Sequence, residues 1–98
     1  MSDPIIVTGA AVILGRAIVA QLARSGADVL GVDLTSEMPD CGERAFAGRV
    51  DLADAGAVET AFARLLGDET RLSRLVNAAG GFGWERIGSG SIETWDRM

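Results

Sequence analysis

Residues 5–15 have the sequence IIVTGAAVILG, in which a short β-branched run meets a turn with a glycine near each end. The run Ile5-Ile6-Val7 is apolar on both sides, which is typical of a strand buried on both faces of a parallel sheet. From Leu14 onward the apolar residues recur at helical spacing, and Gly26 follows where a helix commonly ends. The segment therefore predicts a strand, a tight turn and a helix, in that order.

Short apolar runs and amphipathic stretches alternate along the rest of the chain, which is the pattern of repeated strand and helix units. The further strands predicted in this way cover residues 29–32, 46–50 and 72–76. A second helix is predicted between a capping Asp54 and a terminating Gly67, since its apolar residues fit the i, i+3, i+4, i+7, i+8 spacing. We therefore expect an α/β fold with a partial, doubly wound parallel sheet of about four strands and intervening helices.

The chain is predicted to continue past the fourth strand with a Gly-rich loop over residues 81–90. Ser91 then resembles a helix N-cap, with Glu93 in the first turn. The sequence ends about two turns into that helix without a stop signal, and so short a helix is marginal alone. We therefore expect residues 1–98 to be an incomplete domain, with no second domain.

Composition excludes several classes of function. The 98 residues are 48% hydrophobic and 23% charged, with a net charge of -5 and no clustered basic face, so a nucleic-acid partner is not expected. No apolar run is long enough for a membrane span, and the acidic Asp3 argues against a secretory signal. The single Cys41 cannot form an intrachain disulfide, which favours the cytoplasm. Without His or Tyr, no Ser-His-Asp triad, imidazole metal site or tyrosine acid is available, and no metal site is predicted.

Three polar features fall at predicted strand ends, on one edge of the sheet. The turn from Thr8 to Gly15 opens onto a helix, where backbone N–H groups and the helix dipole attract an anion. Asp33 closes the second strand 18 residues after Gly15, near the offset of an acid that binds ribose hydroxyls. Asp51 follows the third strand. A purely structural interpretation of each feature remains open at this point. The turn can serve packing alone, Asp33 can be a solvated carboxylate, and Asp51 can be a capping residue.

The order and spacing of five motifs resemble the N-terminal part of a short-chain dehydrogenase/reductase. Residues 8–15 are similar to the family's Thr-Gly-x-x-x-Gly-x-Gly turn, Asp33 to its ribose acid, and Asp51-Leu52 to its adenine-side pair. Residues 77–80 resemble its Asn-Asn-Ala-Gly strand end, and the segment from Ser91 resembles the start of its next helix. The resemblance covers nearly the whole chain.

The resemblance implies a Rossmann-like fold and a nicotinamide dinucleotide site. NAD is favoured over NADP because the Asp33 carboxylate would repel a 2′-phosphate and is followed by Leu34 instead of a basic residue. Arg16, just after the turn, is read as an ordinary helix-surface residue. The cofactor-binding residues implied are Thr8, Gly9, Val12, Ile13, Leu14, Gly15, Asp33, Leu34, Asp51, Leu52, Asn77, Ala78, Ala79 and Gly80.

Two departures from the family pattern divide the functional interpretation. Ile13 replaces the middle glycine of the turn, where a β-branched side chain would crowd the phosphates and would be strained at a positive φ. The family's catalytic Tyr and Lys are absent, so no catalytic residue is assigned and the chain alone is expected to be inactive.

We therefore expect the cofactor-binding part of an NAD(P)-dependent oxidoreductase that acts on an alcohol or carbonyl in the complete protein. The alternative is a non-catalytic nucleotide-binding or interaction module, degenerate or split. A homo-oligomer is compatible with the resemblance, since the family's dimer helices would begin near Ser91.

Overall fold

The computed structural model describes residues 3–67 and 71–80. These residues form β1 (Ile5–Thr8), α1 (Ile13–Arg24), β2 (Val29–Val32), β3 (Ala45–Ala47), α2 (Ala55–Leu66) and β4 (Arg74–Asn77). All strand pairs are parallel, in the order β3-β2-β1-β4. The α/β class and the four-stranded sheet are confirmed. The predicted loop over 81–90 and the helix from Ser91 lie outside the described residues.

The two helices cover opposite faces of the sheet, and each face has its own apolar cluster. Alternate residues of β1 divide between them, because successive side chains of a strand point to opposite faces. Val7 packs with Val19 of α1, whereas Ile6 packs with Leu65 of α2. This arrangement follows from right-handed crossovers: β1 connects to β2 on one side and β3 connects back across to β4, so the intervening helices fall on different faces.

The third strand is shorter than predicted. The expected range was 46–50, but β3 ends at Ala47. Arg49 has φ of 57°, which takes the chain out of the extended conformation. Gly48 passes so close to a neighbouring loop that a Cβ there would lie 2.7 Å from the carbonyl oxygen of Ser36. The apolar Val50 suggested a longer strand, although it is buried after the ladder has ended.

The fourth strand is displaced toward the carboxyl end relative to the prediction of 72–76. It begins at Arg74 because its ladder is set by β1, whose first residue, Ile5, pairs with Arg74. Ser73 N–H donates to the Pro4 carbonyl oxygen at 2.8 Å, which fixes the approach to β1 before the strand begins. Leu72 is apolar, but it lies before the first paired residue of the strand. Helix α1 also differs from the prediction. It begins at Ile13, one residue before the Leu14 from which the apolar spacing was counted.

Both predicted helix-terminating glycines and the predicted N-cap are confirmed. Gly26 has φ of 90° just after α1, and Gly67 has φ of 56° just after α2. Asp54 accepts hydrogen bonds from the N–H groups of Gly56 (3.0 Å) and Ala57 (3.2 Å). These two donors belong to the first turn of α2, which has no intrahelical acceptor for them.

Asp54→Ala is expected to lower the free energy of unfolding by about 1 kcal/mol, since the substitution removes the side-chain acceptor from the first turn of α2. Urea unfolding followed by far-UV circular dichroism would measure the change. Glu59→Ala, at an exposed position of the same helix, is the matched control and should shift the midpoint far less. Equal shifts for the two variants would contradict a capping role.

Candidate functional site

The candidate site lies at the carboxyl edge of the sheet, where β1 and β4 meet. From β1 the chain proceeds to β2 and β3 on one side, whereas β4 lies on the other side of β1. Connections leaving neighbouring strands in opposite directions open a crevice at their carboxyl ends, where ligands of open α/β sheets bind. The last paired residues at this point are Thr8 and Asn77.

Thr8 and Asn77 join the two sides of this crevice. The Thr8 hydroxyl donates to Oδ1 of Asn77 at 3.1 Å, and the N–H of Ala78 donates to the Thr8 carbonyl oxygen, also at 3.1 Å. Thr8 is buried, so its hydroxyl needs an internal partner. The turn after β1 and the segment after β4 are therefore held together through side-chain and backbone contacts.

Gly9 and Gly15 allow close approaches that no other residue could make. Gly9 has φ of 68°, and a Cβ there would lie 2.5 Å from the backbone nitrogen of Ala79. A Cβ on Gly15 would lie 1.8 Å from the carbonyl oxygen of Gly9. The first turn of α1 thus rests directly on the end of β1, and the segment after β4 rests on the turn.

Three consecutive apolar residues lie at the amino end of α1. Val12 is the N-cap and makes no side-chain capping bond. Val12, Ile13 and Leu14 are 48%, 82% and 62% exposed. Among the described residues, Arg49 alone of the non-glycine residues has a positive φ, so the strain predicted for Ile13 does not arise. The crowding of the phosphates by Ile13 stays a prediction, and its side chain is exposed at the first position of the helix.

Asp33 links the turn to the end of β2. It is only 7% exposed, and its two carboxylate oxygens accept from different backbone groups. Oδ2 accepts from the N–H of Ala11 at 2.9 Å, and Oδ1 accepts from the N–H of Thr35 at 3.0 Å. A carboxylate has about four acceptor positions, so about two remain for further donors. Asp33 can therefore fix the turn and still accept from a ligand.

Asp51 makes local contacts between β3 and α2. Its Oδ1 accepts from the N–H of Ala53 at 2.9 Å, and its carbonyl oxygen accepts from the N–H of Asp54. This is an Asx-type turn, which agrees with the structural interpretation of Asp51 that the sequence left open. The N–H of Val50 donates to the Asp33 carbonyl oxygen at 3.0 Å, which holds the start of this segment beside Asp33. Leu52 is exposed, as is Leu34 on the neighbouring segment.

The family of this chain is shown by comparison of its sequence with a family model. A family model described as short chain dehydrogenase matches residues 3–98. The chain belongs to the short-chain dehydrogenase family. Comparison with curated protein sequences gives no significant match, so the family model and solved structures carry the relationship.

Several solved structures share the fold of this chain. Aldohexose dehydrogenase from Thermoplasma acidophilum, in ligand-free form, is 28% identical (TM-score 0.69; 98% of this chain and 36% of that chain covered). A blue fluorescent protein from a metagenomic library, in complex with NADPH, is 27% identical (TM-score 0.77; 98% and 43%). Carveol dehydrogenase from Mycobacterium avium, in complex with NAD, is 22% identical (TM-score 0.76; 98% and 43%). The chain thus spans less than half the length of these proteins.

The predicted residues of this short-chain dehydrogenase sequence fall into two groups. Direct contacts bring together residues at the ends of β1 and β4, namely Thr8, Gly9, Asn77, Ala78 and Ala79. Asp33 joins the turn through Ala11, whereas the side chain of Asp51 accepts from Ala53 in its own segment. Gly80 follows this group in the chain.

Two backbone donors of the site were missed by sequence reasoning. The N–H of Thr35 could have been anticipated, since an Asp commonly accepts from the backbone two residues ahead. The N–H of Ala11 could not, because its bond to Asp33 spans 22 residues and depends on the pairing of β1 with β2.

Two structural features are absent from residues 3–67 and 71–80, a membrane-spanning helix and a cluster of metal ligands. Neither 12-residue helix is long and apolar enough to cross a bilayer. No group of three or more Cys, Asp or Glu side chains in this part of the chain is placed to hold a metal ion.

Proposed function

We propose that this chain binds NAD at the carboxyl edge of its sheet, as the N-terminal part of an oxidoreductase that acts on an alcohol or carbonyl. The observation that supports the proposal is the position and hydrogen bonding of Asp33. It is buried at the end of β2, bonded to the phosphate-side turn through Ala11, and retains about two acceptor positions. Two vicinal ribose hydroxyls supply donors of that number.

The proposed assignment of the remaining residues follows the family pattern. Gly9 and Gly15 shape the turn, Leu34 and Leu52 flank the adenine with Asp51 beside them, and residues 77–80 face the nicotinamide side. Val12, Ile13 and Leu14 lie where the pyrophosphate would approach. We assign no catalytic role to any residue of this chain, which has no Tyr to act as the proton donor. We also propose a cytoplasmic location, since one cysteine gives no intrachain disulfide.

NAD is favoured over NADP on electrostatic grounds. A 2′-phosphate adds negative charge next to the Asp33 carboxylate, in partly buried surroundings where like charges repel more strongly than in water. The residue after it, Leu34, offers no compensating cation. The structural neighbours include one protein in complex with NAD and another with NADPH, so the preference rests on Asp33 and Leu34.

Calorimetric titration of NADH and NADPH into the 98-residue chain tests the proposal. We expect saturable binding of NADH and affinity at least about tenfold lower for NADPH, which corresponds to about 1.4 kcal/mol of repulsion. Near-UV circular dichroism of the same sample establishes that the chain is folded. A folded chain that binds neither nucleotide would contradict the proposal, and equal affinities would contradict the role of Asp33.

The exposed Ile13 favours a second candidate, a non-catalytic nucleotide-binding or interaction module. An apolar side chain at the amino end of α1 is a poor neighbour for a diphosphate. This candidate predicts that the complete protein, supplied with NAD and a panel of alcohols, produces no NADH above the background rate. Measurable turnover would exclude it.

A further inference from the structure

We propose that this chain holds its dinucleotide by the adenosine end and that the pyrophosphate contributes little to affinity. The proposal rests on the proposed function above and deepens it. It begins from the amino end of α1, where Val12, Ile13 and Leu14 are three consecutive exposed apolar residues. Of the seven exposed large apolar residues in the described part of the chain, these three adjoin the turn that an anion would approach.

A helix amino end attracts an anion through its free N–H groups and its dipole. That attraction requires the anion to reach the backbone. In α1 the first two positions carry Ile13 and Leu14, and the N-cap, Val12, has no polar side chain. An anion placed there would lose water to apolar contact without gaining a side-chain partner. The residues at this end of the site therefore fit a pyrophosphate poorly.

The adenosine end is built differently. The Asp33 carboxylate is fixed by two backbone N–H groups and has about two acceptor positions left for ribose hydroxyls. Leu34 and Leu52 expose apolar surface on neighbouring segments, and the bond from Val50 N–H to the Asp33 carbonyl oxygen holds these segments together. A planar base buries apolar area against such side chains. Recognition of a nucleoside is thus intact where recognition of a diphosphate is impaired.

Adenosine and ADP-ribose distinguish the two ends, because ADP-ribose adds the pyrophosphate and a second ribose without the nicotinamide. We expect calorimetry on the 98-residue chain to give dissociation constants for the two ligands within about threefold of each other, since a free helix amino end would favour an anion by more than this. Ile13→Gly should raise the ratio of ADP-ribose affinity to adenosine affinity about tenfold, the effect of one good anion contact at a helix amino end.

Ile13→Ala serves as the second variant, since alanine removes the bulk while keeping helix propensity. It should raise the same ratio in the same direction, so a Gly variant that fails to fold leaves the test intact. Arg16→Gln is the matched control, because Arg16 is the nearby cation of α1, and the ratio should not change.

Three outcomes would overturn the proposal. ADP-ribose binding the unaltered chain more than about tenfold tighter than adenosine would show that the pyrophosphate is held well, while leaving the proposed function standing. A ratio that falls in Arg16→Gln would show that this guanidinium holds the phosphates. Binding of neither ligand by the folded chain would remove the proposed function as well.

Discussion

Gly15→Ala is expected to lower the free energy of unfolding by about 4 kcal/mol, the upper range for a single substitution. The added Cβ would lie 1.8 Å from the carbonyl oxygen of Gly9 and 2.9 Å from the Cα of Ala10. Both are backbone atoms in the turn after β1, so no rotamer change can relieve the overlap. The turn would have to separate from α1, and a chain of this size has only about 5–15 kcal/mol of stability in all.

Urea unfolding monitored by far-UV circular dichroism measures the loss, and NADH titration of the same variant reports whether the turn still binds. The control is Gly56→Ala in the first turn of α2. There the nearest atom to an added Cβ is Oδ1 of Asp54, at an ordinary 3.4 Å. Alanine in a helix without overlap is stabilising by about 0.5–1 kcal/mol. Similar losses for Gly15→Ala and Gly56→Ala would refute the close approach at Gly15.

The fold could be predicted from the sequence because its signals are local. Ile5-Ile6-Val7 is apolar on both faces, Asp54 is an N-cap, and Gly26 and Gly67 terminate helices, and each of these features acts within a few residues. The limits of β3 and β4 could not be predicted, since pairing sets them. Arg74 begins β4 only because Ile5 begins β1, and no property of Leu72 reveals that register.

The site shows the same division between local and long-range information. The spacing of Gly9, Gly15 and Asp33 was enough to place them at one edge, and the sheet order confirms that position. What the spacing could not give was the second role of Asp33, whose bond to Ala11 requires β1 and β2 to lie side by side. The backbone conformation of Ile13 was equally inaccessible, since helix α1 begins at that residue instead of after it.

Asp33→Ala is expected to lower the free energy of unfolding by about 3 kcal/mol and to abolish measurable NADH binding. The carboxylate is nearly buried and accepts from the N–H groups of Ala11 and Thr35. Leaving a buried donor without an acceptor costs about 1–3 kcal/mol, and because both bonds are only part-buried and Thr35 is exposed, water offsets part of the combined cost. The ribose would lose its acceptor at the same time, so stability and affinity should fall together.

Asp33→Asn separates the two roles, because an amide keeps the size of the side chain and one acceptor oxygen. One N–H group would retain its partner while the other would face the amide NH2, so the stability loss should be smaller than for alanine. Asp40→Ala is the matched control, since Oδ1 of Asp40 accepts from the N–H of Gly42 at 2.9 Å in an exposed loop. Water can replace that acceptor, so its loss should stay within about 0.5 kcal/mol. If Asp33→Ala and Asp40→Ala unfold at the same urea concentration, then Asp33 does not fasten the turn to β2, and only its contribution to ligand binding would remain.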